Sequence, residues 1–166
     1  MTLVEWFEFL SYVVTVVGLP LAIFVFIDEQ RRERQNEEEA LYQSLADQYD
    51  GFLRLILDHP DLGLSGRFIP HRPLTEEQRE RKHLIFEILI ALFERATIML
   101  FSPRMGRHEQ RLWASWEDYM RTWCRREDFR DALPIVLEGE DDEFSRHILA
   151  IAAEEAARQG SPAAAV

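Results

Sequence analysis

Two acidic residues interrupt the most apolar part of the chain, LIFEILIALFERATIMLF, residues 84–101. Glu87 and Glu94 are seven residues apart, which is about two turns of a helix. Carboxylates that are held in a pocket with shifted pKa values are the groups that carry acid/base chemistry. The alternative is that each glutamate pairs with an arginine of another helix, such as Arg111 or Arg121, because long charged side chains are seldom buried unpaired.

A cluster of arginines follows this segment, and its first members are Arg104, Arg107 and Arg111. The backbone amides of a helix that begins near Gly106, together with these arginines, would bind a phosphate or a nucleotide. The same side chains suit anionic lipid headgroups. They would equally pair with the acidic segments 37–39 and 138–143, as charge runs usually form solvated faces. The candidate ligand-binding residues are these three arginines with Glu87 and Glu94.

The histidines and the single cysteine complete no recognisable site. Glu80 and His83 form one Glu-x-x-His pair, but a di-iron bundle needs two such pairs and two further glutamates. The pairs His83/Glu87 and Glu143/His147 have the spacing of ordinary surface contacts on a helix. The chain contains neither a glycine-rich phosphate loop nor a G-x-S-x-G motif. We therefore expect no metal, no cofactor and no catalytic activity.

Composition narrows the class of protein. The chain has 166 residues, of which 47% are hydrophobic, so it is long and apolar enough to form a packed core. The formal net charge of −11 is opposite to that of a non-specific nucleic-acid binder, so a nucleic-acid polymer is not an expected partner. One cysteine, Cys124, forms no intramolecular disulfide.

The N-terminal segment predicts a membrane anchor. Residues 9–27, FLSYVVTVVGLPLAIFVFI, carry no charge, and 19 helical residues span about 28 Å, close to the hydrocarbon thickness of a bilayer. The alternative is a fully buried helix of a soluble domain. We predict one transmembrane helix within residues 1–27 and a charged stalk over residues 28–40.

The flanks of this segment predict its orientation. Arg31, Arg32 and Arg34 follow the apolar run, and no basic residue precedes it. The positive-inside rule then places the N-terminus outside the inner (cytoplasmic) membrane and residues 28–166 in the cytoplasm.

A stripe of small residues lies within the predicted span: Ser11, Thr15, Gly18 and Ala22. This spacing repeats along one side of a helix, where small side chains let two membrane helices approach closely. The stripe predicts self-association, or association with another membrane protein.

The remainder of the chain predicts a helical domain, residues 41–160, and a disordered tail, residues 161–166. The pattern indicates helices over 28–58, 75–101, 107–125 and 141–158, with a short helix broken at Pro134. The apolar stripes expected to face the core are Leu41, Leu45, Gln48 or Tyr49, Phe52 and Ile56; Leu112, Trp113, Trp116, Tyr119 or Met120 and Trp123; and Phe144, Ile148, Ile151 and Ala152. The predicted fold is all-α, one transmembrane helix that continues into a bundle of about four helices.

The order of features resembles a group of uncharacterised bacterial single-pass membrane proteins with a small cytoplasmic all-helical domain. The residues that carry the resemblance are Leu41 to Leu45, the segment Asp58-His59-Pro60-Asp61-Leu62, and the helix with Trp113, Trp116, Tyr119 and Trp123. The resemblance implies the architecture alone.

The sequence thus predicts a membrane-anchored helical interaction or sensing module of regulatory or effector type, with a homo-oligomer or another membrane protein as its partner. The alternatives are an accessory subunit of a larger membrane complex and an anionic-ligand-binding domain.

Overall fold

A computed structural model of the chain describes Trp6, residues 18–65 and residues 73–160, with the backbone alone at 31, 34, 35 and 38. Within these ranges every regular element is helical and there is no strand. The elements are α1 (Leu19–Asp58), a 3-10 helix (Pro60–Leu62), α2 (Glu76–Leu100), α3 (Arg107–Cys124), α4 (Glu127–Val136) and α5 (Asp142–Gly160). The prediction of an all-α fold is confirmed.

The predicted membrane span falls partly outside the described residues. Positions 9–17, including Ser11 and Thr15 of the small-residue stripe, lie outside them, as does the predicted tail 161–166. Gly18 and Ala22 are described, and Ala22 lies near the start of α1. In the part of the chain that the structure describes, no helix combines the length and the apolar character needed to cross a membrane.

The chain divides into two compact units, residues 1–43 and residues 44–166. In the first unit, α1 begins with an apolar stretch, Leu19–Ile27, whose large side chains are between 44% and 69% exposed. A charged stretch follows, in which Arg32 contacts Asp28 at 3.0 Å.

The second unit is a bundle with α2 at its centre, since α2 contacts α3, α4, α5 and the 3-10 helix. The start of α2 is fixed by a capping box. The backbone N–H of Gln78 donates to the Thr75 hydroxyl at 3.2 Å, and the backbone N–H of Thr75 donates to the Gln78 side chain at 2.9 Å. Each bond satisfies an amide that a helix end otherwise leaves without a partner.

Large side chains from α1, α3 and α5 fill the space around α2, as their apolar spacing predicts. Tyr49, and not Gln48, is the residue of α1 that faces the core, and it accepts a hydrogen bond from the Trp123 indole N–H at 3.2 Å. The predicted stripe residues that are buried are Leu45, Tyr49, Phe52, Ile56, Trp113, Trp116, Met120, Trp123, Phe144, Ile148, Ile151 and Ala152.

Helix α4 corrects the prediction that the short helix breaks at Pro134. The helix continues through Pro134 to Val136. Proline removes one intrahelical hydrogen bond, but Phe129, Leu133 and Val136 are all buried on the core side. Burial of three large side chains on both sides of the proline offsets the lost bond, because each contributes about 1.5–3 kcal/mol.

The segment that follows α1 also contributes to the core. Leu62 and Leu64 are buried, and Gly63 between them has a φ of 64°, a left-handed conformation that glycine adopts without strain. Asp61 accepts hydrogen bonds from the Gln78 side chain at 3.0 Å and from Arg81 at 3.2 Å. The first of these bonds, with the Arg81 charge, lowers the pKa of Asp61 and ties the segment to α2.

Candidate interaction surface

One side of α2 faces away from the core and carries large apolar side chains. Leu84 is 51% exposed, Ile88 49%, Ile98 62% and Met99 48%. Their spacing of about one turn or its multiples places them along one side of the helix. Single exposed apolar residues are normal on a protein surface, whereas a row of them marks an interaction site.

A groove lies between this side of α2 and the part of α1 that belongs to the bundle. It has a volume of about 290 Å³, and its lining residues are Gln48, Gly51, Phe52, Leu55, Ile88, Leu92 and Arg95. A Cβ atom at Gly51 would meet nothing within 4 Å, so the groove is open there. Arg95 donates a hydrogen bond to the Gln48 side-chain oxygen across one end. We call the groove, together with Leu84, Ile88, Ile98 and Met99, the α1–α2 surface.

Two charged residues lie on either side of Leu84 and Ile88 along α2. Glu80 precedes Leu84 by one turn, and Arg95 follows Ile88 by two turns, between Ile88 and Ile98. Both side chains are exposed. Among the described residues, neither has an oppositely charged group within ion-pair distance. Arg95 instead bonds to the neutral Gln48. Glu80 and Arg95 therefore remain available for a partner.

The two predicted glutamates of α2 have different partners. Glu87 is exposed, and one of its oxygens lies 3.7 Å from Nε2 of His83. Glu94 accepts a hydrogen bond from the backbone N–H of Asp141 at 2.6 Å. Neither glutamate forms an ion pair with Arg111 or Arg121 among the described residues, so the alternative interpretation is wrong for these two arginines.

Glu94 also forms a hydrogen bond with Glu140, the residue before Asp141. Two carboxyl groups can share a hydrogen bond only when one of them holds a proton. Partial burial, the hydrogen bond to Glu94 and the charge of Glu94 together raise the pKa of Glu140 to about 7. This acid pair joins α2 to the connection between α4 and α5, and its protonation changes in the physiological range.

The structure does not assemble the five predicted ligand-binding residues into one site. Arg104, Arg107 and Arg111 are exposed near the start of α3, and in the described ranges no carboxylate lies within ion-pair distance of them. The helix N-terminus between them is capped by the chain itself, since the Gly106 N–H donates to the Glu109 carboxylate at 2.6 Å. A ligand phosphate would have to displace this carboxylate.

The most deeply buried charge was missed at the sequence level. Glu155 on α5 is 3% exposed. Arg158 lies 2.7 Å from its carboxylate, Arg125 lies 3.4 Å away and Arg121 lies 3.7 Å away. Arg121 of α3 and Arg125, the residue that follows α3, thus pair with acidic residues of α5 and not with segment 138–143. A signal was present, because Glu155 follows the buried Ile151 by one turn.

The pKa values of Arg121 and Cys124, which lie near Glu155, are shifted. Hydrogen bonds with Glu154 and Glu117 raise the pKa of Arg121, so its guanidinium is permanently charged. Burial, reinforced by the charge of Glu155, raises the pKa of the Cys124 thiol to about 12. The thiolate is the reactive form of cysteine, so Cys124 is an unreactive core residue.

A second cavity of about 410 Å³ lies between α2 and α4, and it is lined by Leu74, Arg79, Lys82, His83, Phe86, Asp128, Asp131 and Ala132. Asp128 pairs with Lys82 and with Arg126, the latter at 2.8 Å. Burial alone would raise the pKa of Asp128, but the bonds from Arg126 and Lys82 hold it below its ordinary value. Within the described residues there is no group of three histidine, cysteine or acidic side chains that could hold a metal ion.

Comparison with other proteins assigns this chain to no family. No protein-family model, no curated protein and no solved structure matches the chain. The resemblance to bacterial single-pass membrane proteins therefore stays a prediction.

Proposed function

We propose that this protein is a membrane-anchored helical interaction module of regulatory or effector type that self-associates. One observation carries the proposal, namely the α1–α2 surface. A bundle of this size normally covers its large apolar side chains, and burial of each is favourable by about 1.5–3 kcal/mol. Here four of them are exposed on the central helix, and one of the four, Ile88, lines an open groove. A surface of this kind is stabilised by contact with another protein.

The charges of the bundle support an interaction role over a catalytic one. Glu155 and Asp128 are each bound by arginine or lysine side chains of the same bundle. Breaking a buried charge pair is strongly destabilising, so these charges are held within the bundle. Arg95, which has no oppositely charged partner among the described residues, lines the groove of the α1–α2 surface, and Glu80 lies one turn before Leu84.

The anchor is the second part of the proposal. Residues 1–27 form it, with residues 28–166 on the cytoplasmic side of the inner membrane. The exposed apolar side chains of Leu19–Ile27 support this placement, as do the arginines at 31, 32 and 34.

Extraction from native membranes tests the proposal. The full chain should stay with the membrane fraction after alkaline washing. After solubilisation in mild detergent, it should migrate as an assembly larger than the monomer. Ile88→Ser should reduce that assembly about ten-fold, because an isoleucine that the contact would bury is replaced by a polar side chain. Leu149→Ser on α5 is the matched control, since Leu149 is 46% exposed and does not line the groove.

Two results would contradict the proposal. Release of the chain from the membrane in the alkaline wash would contradict the membrane anchor. A monomer in every extract would contradict the interaction role. Assembly with a different protein alone would favour the accessory-subunit alternative.

The anionic-ligand alternative has one observation in its favour, the three exposed arginines that begin with Arg104. Neither of the two cavities described above is lined by any of them. A thermal-shift series with anionic nucleotides tests it, because a ligand that binds only the folded state raises its stability.

A further inference from the structure

Along the exposed side of α2, an acidic residue precedes the apolar pair Leu84 and Ile88, and a basic residue follows it. Glu80 comes first, and Arg95 comes after Ile88. The exposed Glu87 lies beside Ile88, and Ile98 and Met99 extend the apolar side chains beyond Arg95. Glu80 lies eight residues before Ile88, and Arg95 lies seven residues after it. The segment from Glu80 to Arg95 is therefore nearly symmetric in length about Ile88 and opposite in charge at its two ends.

Such a segment is complementary to itself when it is turned around. If two copies of α2 cross antiparallel near Ile88, Glu80 of each copy faces Arg95 of the other. A twofold axis produces this ion pair twice. In the same register, Leu84 of one copy faces Ala91 of the other, so a large side chain meets a small one.

The groove provides space for the Leu84 side chain of the other copy. Ala91 is followed by Leu92, which lines the groove opposite Gly51. The space beside Gly51 is open, as a Cβ atom there would meet nothing within 4 Å. Insertion of a side chain of one helix into a groove beside another is the usual geometry of helix packing.

We propose that the α1–α2 surface is a twofold contact between two copies of this chain, with antiparallel α2 helices, the axis between Glu87 and Ile88, and a Glu80–Arg95 pair on each side of it. This inference rests on the proposed function and names the partner as a second copy. The charge complementarity selects this occupant, because both halves of each ion pair are already present on the same helix.

Disulfide trapping of the full chain in detergent tests the position of the axis. A residue beside a twofold axis lies close to its own copy, so Ile88→Cys should give a covalent dimer under mild oxidation. Cys124 adds little background, since it is buried and its thiol is hard to ionise. Leu149→Cys is the control, because Leu149 is similarly exposed and does not line the groove. Equal trapping at both positions, or none at position 88, overturns the proposal.

Charge reversal in the Ile88→Cys background tests the ion pairs. Arg95→Glu and Glu80→Arg each create two like-charge contacts per dimer, and each should lower the trapped fraction about ten-fold. The double variant Glu80→Arg/Arg95→Glu restores opposite charges and should return trapping to within about three-fold of the parent. All these positions are exposed, so folding should persist. Failure of the double variant to recover overturns the antiparallel register.

The failure of this inference is separable from the failure of the proposed function. If the extracted chain assembles through its N-terminal segment or with a different protein, trapping at position 88 is absent while the assembly persists. If the chain is monomeric in every extract, both are wrong.

Discussion

Two helix pairs of the bundle differ in the hydrogen bonds between them. Several bonds cross from α3 and the residue after it to α5. Arg121 donates to Glu154 at 2.7 Å, and the Gln159 side chain donates to the carbonyl of Arg125 at 2.6 Å. Between α1 and α2 one side-chain bond, from Arg95 to Gln48, lies at the end of an open groove. The difference indicates that the first pair stabilises the fold and the second is available to a partner.

Among the charged side chains, the largest effect on stability should come from Glu155, where α3 meets α5. Glu155→Ala leaves Arg121, Arg125 and Arg158 without their shared carboxylate. Removal of one partner from a buried charge cluster costs about 3 kcal/mol. Solvent around the two more exposed arginines reduces this to about 2 kcal/mol. Urea unfolding of the full chain in detergent measures the loss.

Glu154→Ala is the matched control for that change. Glu154 is the preceding residue and also pairs with Arg121, but its side chain is 54% exposed. Exposed ion pairs contribute little to stability, because solvent screens them. Equal losses at the two positions would show that burial of Glu155 does not distinguish them.

The bond between α1 and α3 should give the next effect. Trp123→Phe removes the indole N–H that donates to the Tyr49 hydroxyl and reduces the buried volume. We expect a loss of about 1–2 kcal/mol from the lost bond and packing. Tyr49→Phe removes only the hydroxyl, and its loss should be smaller, about 1 kcal/mol. A loss at Tyr49 larger than that at Trp123 would contradict this order.

The acid pair of Glu94 and Glu140 should give stability a dependence on pH. The pKa of Glu140 is raised from 4.5 to about 7 in the folded state. The folded state therefore binds the proton more tightly, so its stabilising effect is complete below about pH 4.5 and is lost as pH rises through about 7. Glu140→Gln keeps a hydrogen-bond donor at every pH. Its melting temperature should exceed that of the parent by about 2 °C at pH 8 and by less at pH 5.

Glu138→Gln is the control for this pH series, because Glu138 is exposed and, in the described ranges, has no ion-pair partner. A constant difference between the Glu140 variant and the parent from pH 5 to pH 8 would show that the acid pair does not titrate in this range.

Most of the fold follows from the local sequence, and the reasons are physical. Apolar spacing predicts the buried side of α1, α3 and α5, because a helix must place that side against a core. The Thr75 capping box predicts the start of α2, because its two bonds depend on residues three apart. The continuation of α4 through Pro134 could not be predicted this way. It depends on burial of Phe129 and Val136 against helices distant in sequence.

The candidate surface was harder to predict than the fold. The periodicity of α2 is weak because apolar residues lie on nearly all of its sides, so it predicts a helix buried on most faces. Which apolar side chains remain uncovered depends on where α1 packs, and that is a tertiary result. The charged pairs could not be predicted from the sequence for a related reason. Arginine side chains are long enough to reach several helices, so the choice of Glu155 for Arg125 is made by the packing of α3 against α5.

The smallest effect on stability should come from changes on the α1–α2 surface, where the effect on assembly should instead be large. Leu84→Ser and Ile88→Ser replace side chains that are about half exposed, and each should change the free energy of unfolding of the monomer by no more than about 0.5 kcal/mol. Ile148→Ser makes the same kind of change on α5, where Ile148 is fully buried, and should cost several kcal/mol because it leaves a cavity and an unsatisfied hydroxyl. Unfolding in dilute detergent, where the chain is monomeric, separates the two. A large loss at position 88 under those conditions would mean that the α1–α2 surface stabilises the single chain and is not reserved for a partner.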